Sequence, residues 1–295
     1  MGFRLSRKIR HIRNNILQKI KKKNLKLYRL LLFVGAIFKF LYKFNKKKIK
    51  KFYFKKIDEI NKFEFKKTSQ NNEDGIIYHI FQRLNLNYIN FIEIGFDYYE
   101  NNSLNFLKKV KKGLFVDGSE EKTFLLKNLL LVFFPLKKIN VLNTFVNKDN
   151  INQIISNSFK AHEEIDFLSI DIDGIDYYIL ENLKYSPKIL CVEYNFWYGS
   201  EVKCSIPYSE NFEWEPGSLY SGASLLAMCS LAKRKDYHLV ALDSACVNAF
   251  FVRGDLKKNF EVLDPKVSFK LPSKYNLEEI KSAEKQLLSR ELIFF

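Results

Sequence analysis

The sequence predicts an α/β domain built on a seven-stranded, mostly parallel sheet whose last strand runs antiparallel, preceded by a basic helical extension. Three observations lead there. Short apolar runs alternate with amphipathic segments between residues 88 and 253, the signature of βαβ units. Some runs are nearly continuous, as in Ile165, Phe167, Leu168 and Ile170, the pattern of a strand covered on both faces. The last two runs are joined by only a few residues, too few for a parallel crossover, so the final strand must reverse.

At 295 residues the chain holds one such domain and an extension. Its net charge of +16 is unevenly placed: residues 1–68 carry 23 Lys and Arg against 3 Asp and Glu, which leaves 26 against 30 in 69–295. The basicity belongs to the extension, and the mildly acidic remainder argues against a nucleic-acid-binding domain. Four cysteines, Cys191, Cys204, Cys229 and Cys246, have no CxxC spacing and no neighbouring His, which fits free thiols in a reducing compartment.

Taken in order, the extension (1–56) contains LYRLLLFVGAIFKFLYKF, helical in pattern, whose uninterrupted apolar core from Leu30 to Phe38 is too short to span a bilayer. On a helical wheel Leu30, Phe33, Val34, Ile37, Phe38, Phe40, Leu41 and Phe44 share one arc, with Lys39, Lys43, Lys46 and Lys50 opposite. Two readings fit. Residues 26–56 lie on an anionic membrane surface, making the protein cytoplasmic and peripherally membrane-associated, or the helix packs on its own domain or on a partner with a solvated lysine face.

The main domain (57–263) opens with a helix over Ser69 to Leu84, where His79 sits near the apolar side in a structural rather than catalytic setting. Strands are expected at Tyr88 to Ile94, Gly113 to Val116, Lys138 to Phe145, Ile165 to Ile170, Ile189 to Val192, Tyr237 to Leu242 and Val247 to Arg253. Helices are expected at Ser103 to Lys111, Lys122 to Leu131, Asn150 to Ser158, Tyr177 to Leu183 and Ser224 to Lys235. A C-terminal piece (264–295) begins as a loop, and Asn276 with Glu279 forms a capping box for a closing amphipathic helix.

Chemistry collects where strands end. Asp171 and Asp173 follow the fourth strand, Gly174 permits a sharp turn, and Asp176 can cap the next helix. Ligands of parallel sheets sit outside the carboxyl ends of the strands, so this turn is a site candidate; the alternative is that these acids only cap and turn the chain. The first strand ends Glu93-Ile94-Gly95, and about 22 residues on the second ends at Asp117, where nucleoside-binding sheets place a carboxylate for ribose hydroxyls. There is no GxGxxG and no lysine-bearing P-loop, so phosphate is the poorer ligand.

The blocks SQNNEDG (69–75), FIEIG (91–95), FVDGSEE (115–121), FLSIDIDGIDYYIL (167–180), CVEYN (191–195) and NAFFV (248–252) resemble, in this order, S-adenosylmethionine-dependent methyltransferases of the FkbM type. The resemblance implies a Rossmann-like class I methyltransferase fold and O-methylation of a sugar hydroxyl, which together with a membrane-bound N-terminal helix extends the expected acceptor to a sugar or lipid-linked glycan. It also implies that Glu93 and Gly95 line the methionine end of S-adenosylmethionine, that Asp117 binds ribose, that Asn143 and Thr144 lie near adenine, and that Asp171 faces the sulfonium and acceptor. One departure stands out: the further glycines usual after Gly95 are replaced by Phe96, Asp97, Tyr98 and Tyr99.

Neighbouring parallel strands lie about 4.8 Å apart, so Asp171 and Asp173 are within reach of Glu193 and Asn195 at the end of the fifth strand. Four such oxygen donors suit Mg or Mn, which lowers the pKa of a bound hydroxyl; otherwise Asp173 or Glu193 acts directly as general base. The long connection 196–222 holds Trp197, Tyr198, Trp214 and Tyr220 among acidic residues, either a lid for a carbohydrate ring or the core of a small subdomain. Two other functions remain open: a glycosyltransferase using Asp171-Ile-Asp173 for a metal and a sugar nucleotide, and a non-catalytic membrane or nucleic-acid adaptor on a degenerate fold.

Overall fold

The computed structural model describes residues 14–45, 59–272 and 275–295; the expected basic segments at 1–13 and 46–56, with Lys46 and Lys50, lie outside the described residues. Five strands, β1 (Ile89–Ile94), β2 (Val110–Asp117), β3 (Lys138–Asn143), β4 (Phe167–Ile170) and β5 (Ile189–Glu193), run parallel to one another. A two-residue strand, β6 (Cys204–Ser205), is followed by β7 (Tyr237–Leu242) and β8 (Asn248–Arg253). The seven-stranded sheet has the order β3-β2-β1-β4-β5-β8-β7, with β8 antiparallel to both of its neighbours. This is the Rossmann-like sheet with a reversed last strand that the alternation predicts. Its order changes direction between β1 and β4, which opens a crevice above their carboxyl ends.

Helices cover both faces. One face carries α1 (14–23), α2 (Leu25–Asn45), α3 (Glu73–Arg83) and α4 (Glu120–Phe133), and the other α5 (Ile151–Ser158), α6 (Asp176–Asn182) and α7 (Leu225–Arg234). Strand residues alternate between the two cores, as the pleat requires. Phe91 and Phe115 join Phe40, Ile76, Ile80 and Leu126 on one side, while Ile92, Ile94 and Leu114 join Ile155, Ile179 and Met228 on the other. Burial on both faces explains why β1 and β4 are buried at every position and read as continuous apolar runs. The chain closes with the one-turn α8 (Pro265–Ser268), within the expected loop, then α9 (Leu277–Leu288), and β9 (Ile293–Phe294), which pairs with β6. The Asn276–Glu279 capping box is formed as expected.

Two expected elements change. No α-helix forms over Ser103 to Lys111: a 3₁₀ turn spans Leu104–Lys109 and β2 begins at Val110, because the Asn101 side chain accepts from the backbone N–H groups of Ser103 and Leu104 and ties the segment into a loop. The helix expected from Ser69 starts at Glu73, since the Asp74 carboxylate takes the backbone N–H groups of Lys67, Thr68 and Ser69 and holds them in a turn. His79 stacks on Phe63 at 3.8 Å between ring centroids.

Helix α2 divides the two readings of its sequence. Tyr28, Ala36 and Phe40 are buried against the domain, with Phe40 stacked on Phe133 at 5.2 Å. Lys39 donates to the Tyr98 hydroxyl at 3.0 Å, and Lys43, nearly enclosed, pairs with Glu100 at 2.5 Å. The lysine side therefore faces acids and aromatic rings of the domain. The exposed face is apolar, made of Leu27, Leu30, Leu31, Val34, Phe38 and Leu41, with Phe38 at 70% exposure. Among the described residues no helix is long and apolar enough to cross a membrane.

Candidate active site

The crevice above β1, β4 and β5 has a volume of about 340 Å³ and is lined by Glu73, Glu93, Asp97, Glu100, Asp171, Asp173 and Glu193, with Lys122 the basic residue among its lining. Each acid is delivered by a strand end or the turn after it, except Glu73, which opens α3. The turn after β4 begins level with the end of β1, where Asp171 N–H donates to the Ile94 carbonyl at 2.9 Å. Gly95 stands beside it with φ +76°, and a β-carbon there would lie 1.7 Å from the Asp171 carbonyl oxygen. Only glycine fits such an approach. Asp173 also takes a left-handed conformation, φ 59°. Asp176 does not cap α6 with its side chain: as the first residue of the helix it reaches back, accepting from Ile172 N–H at 2.9 Å and Gly174 N–H at 3.0 Å, and so fixes the shape of the Asp-Ile-Asp-Gly turn. The Phe212 ring packs over Gly174.

Crowding carboxyls in a partly dry crevice raises their pKa values. Burial, reinforced by Asp173 and Asp176, lifts Asp171 to about 8, and burial with the neighbouring Asp171 charge lifts Glu193 well above the usual range. The Asp171 and Glu193 side chains are hydrogen-bonded to each other, so one of them carries a proton at neutral pH. Oxygens of Asp171, Asp173 and Glu193 all lie within 4.8 Å of one another. Asn195 does not join them. Its side chain donates to the carbonyls of Leu219 and Ser221 and accepts from Trp197 N–H, which spends its oxygen and both N–H donors.

Glu93 is likewise held by protein. It accepts from Asn102 N–H at 3.0 Å and from the Ser103 hydroxyl, and burial lifts it to about 8. Asn102 in turn bonds Ser169 of β4 and the Cys191 thiol of β5, stitching the loop across three strands. Asp117 does not line the crevice but stands next to two residues that do, accepting from Phe96 N–H at 3.2 Å and lying 3.4 Å from Lys122, and it also accepts from Ser119 N–H at 2.7 Å. Asn143 and Thr144 stand beyond it at the end of β3, both donating to the Asp117 carbonyl. Tyr98 and Tyr99 do not plug the crevice: they turn outward to α2, where Lys39 lies over both rings.

A smaller pocket of about 160 Å³ adjoins the crevice through Asp173, Glu193 and Val247, and Trp197 and Trp214 line it. Tyr198 and Tyr220 do not. Tyr198 is fully buried in a small core with Cys204 and Leu287, and the Tyr220 hydroxyl donates to the Glu291 carbonyl while Arg290 covers its ring. The 196–222 segment thus combines a small core with a pocket wall. Asn248 was not anticipated. It pairs with Glu193 in the sheet, lines the crevice and donates to Glu73 at 3.2 Å, leaving its buried carbonyl oxygen without a partner among the described residues. Only the antiparallel placement of β8 brings it there.

No family model and no curated relative matches the chain. Among solved structures it is similar to an S-adenosylmethionine-dependent methyltransferase from Clostridium acetobutylicum, with 12% identity over 62% of this chain and 90% of the other at a TM-score of 0.41. It is similar to magnesium protoporphyrin IX methyltransferase from Synechocystis with S-adenosylhomocysteine bound, with 8% identity, 78% and 100% coverage and a TM-score of 0.41. It is also similar to the N-terminal domain of EvdMO1 with the same product bound, with 9% identity, 76% and 94% coverage and a TM-score of 0.44. The strand order and the reversed β8 stand independently of these likenesses and make the fold Rossmann-like.

Proposed function

We propose that the chain is an S-adenosylmethionine-dependent methyltransferase acting on a hydroxyl of a sugar or lipid-linked glycan at a membrane surface. The observation that carries this reading is the acidity of the crevice: seven carboxyl groups line a space with Lys122 as its basic lining residue, and burial holds several of them protonated until a cation takes the proton's place. Such a site repels phosphate and favours a ligand that brings positive charge. S-adenosylmethionine carries two, a sulfonium and an ammonium, and when bound supplies an electrophilic methyl group. The Asp171–Glu193 pair is the acceptor for such charge, and Asp117 beside the crevice is the acceptor for ribose hydroxyls. A sugar nucleotide lacks this complementarity, which ranks the glycosyltransferase reading second.

Beside the sulfonium, Asp173 or Glu193 takes the proton of the acceptor hydroxyl, and Trp197 and Trp214 supply apolar faces for the ring that bears it. The three clustered carboxylates also have the oxygen chemistry that Mg or Mn takes, and an ion held there by Asp171, Asp173 and Glu193 would acidify the hydroxyl instead. The exposed apolar face of α2, set between basic stretches of sequence, supports contact with anionic lipid. Calorimetry with S-adenosylmethionine tests the reading directly, with and without manganese. Micromolar binding is expected, and its absence in well-folded protein refutes the methyltransferase; binding that requires manganese selects the ion over the general base.

A further inference from the structure

A second cavity lies between the N-terminal helices and the loop after β1. At about 880 Å³ it is more than twice the volume of the acidic crevice, and Asp97 lines both. Its lining joins an aliphatic run to polar side chains, with Asn14 and Gln18 of α1 and Glu121 of α4 among the latter. Leu17 and Ile20 of α1, Leu31 and Leu32 of α2, and Leu125 of α4 form an apolar wall. Lys39, Asp97 and Tyr98 form a polar end on the side of the crevice. Leu31 is 41% exposed and belongs also to the apolar outer face of α2, so the cavity wall continues into the surface that faces outward. Gly35 lies midway along α2 on the cavity side, and a β-carbon there meets nothing within 4 Å.

We propose that this chamber binds the apolar chain of an amphiphile, an acyl or polyprenyl tail lying between α1 and α2, with its hydroxylated head at Asp97 and the mouth of the crevice. The volume and the run of aliphatic side chains along one wall match a tailed molecule better than a compact sugar or a nucleotide. Continuity with the exposed face of α2 gives the tail a path from a lipid surface that does not pass through water. The lysine side of α2 then has a function inside the protein: Lys39, held by the Tyr98 hydroxyl and lying over Tyr99, positions the polar end of the chamber. Identifying the occupant as the acceptor rests on the methyl-transfer reading. Binding of the chain does not.

Gly35→Leu tests the chamber. Glycine is the poorest helix former after proline, and the new side chain enters open space, so the variant is expected to fold and to fill the chamber. The probe is dansyl-undecanoic acid, whose emission rises on entering an apolar site, titrated into the full chain without cofactor. Saturable one-to-one binding is expected in the wild type, with at least a tenfold loss of affinity in G35L and no change in Phe38→Asp, which alters only the outer face. Non-saturable binding, equal binding in G35L, or loss of binding in F38D alone would each overturn the proposal. Calorimetry with S-adenosylmethionine on the same preparations separates the two readings: failure there with probe binding intact removes the methyltransferase and leaves the chamber.

Discussion

Asp171→Asn is the substitution whose consequences follow most directly from the geometry. The folded protein lifts this carboxyl from an ordinary 3.8 to about 8, first by burial and then through Asp173 and Asp176. Between those two values the folded state keeps a proton that the unfolded chain has released, so stability falls as pH rises, by about 1.4 kcal/mol per pH unit for one group. From pH 5 to pH 7 that amounts to about 3 kcal/mol. The asparagine does not titrate. The variant is therefore expected to lose about 3 kcal/mol less than the wild type over this span, or roughly 6–12 °C in the difference of the two melting-temperature shifts. Glu193 moves the comparison the same way, since part of its raised pKa comes from Asp171. Urea unfolding of both proteins at pH 5, 6 and 7 measures the slopes. Affinity for S-adenosylmethionine should fall at least tenfold in the same variant, because an amide cannot balance a sulfonium. Gain of stability with loss of binding marks a site kept under strain for a ligand. Parallel pH slopes in the two proteins would refute the account of a proton shared by Asp171 and Glu193.

Gly95→Ala places a methyl group where the Asp171 carbonyl stands and adds the strain of positive φ, so a loss of about 3 kcal/mol or more is expected, read as a fall in the urea midpoint. On α2, Phe40→Ala should cost about 3–5 kcal/mol because the ring is buried and stacked, whereas Phe38→Asp should change stability by less than about 0.5 kcal/mol. If α2 lies on lipid, F38D should reduce sedimentation with anionic vesicles several-fold, and unchanged sedimentation would move the membrane contact elsewhere on the chain.

The sheet was legible in the sequence because strands buried on both faces read as apolar runs, and because acids cannot continue such a run. Asp117, Asp171 and Glu193 therefore mark strand ends correctly. What the sequence hid was long-range partnership. Asn195 looks like a ligand until the 196–222 segment folds back and occupies both ends of its amide. Glu93 looks free for cofactor until the Ser103 hydroxyl and the Asn102 backbone N–H close on it, and beside them the Asn101 side chain shortens the next element from a helix to a 3₁₀ turn. Periodicity found the lysine side of α2 but not its direction, since a helical wheel has no inside. Asn248 carried a weak signal, an amide leading an otherwise apolar strand, that gained meaning only from the partner across β5.

The insertion of β8 between β5 and β7 has a consequence for biogenesis. While the ribosome makes the chain, β5 can pair with β4 as soon as both have emerged, but its other edge stays bare until the whole 194–247 segment has been translated. A bare, apolar parallel edge invites pairing with other nascent chains. The strand that carries Glu193 is thus the most exposed to misassembly during synthesis, and chaperone demand should peak in that interval and drop once Asn248–Arg253 slots into place.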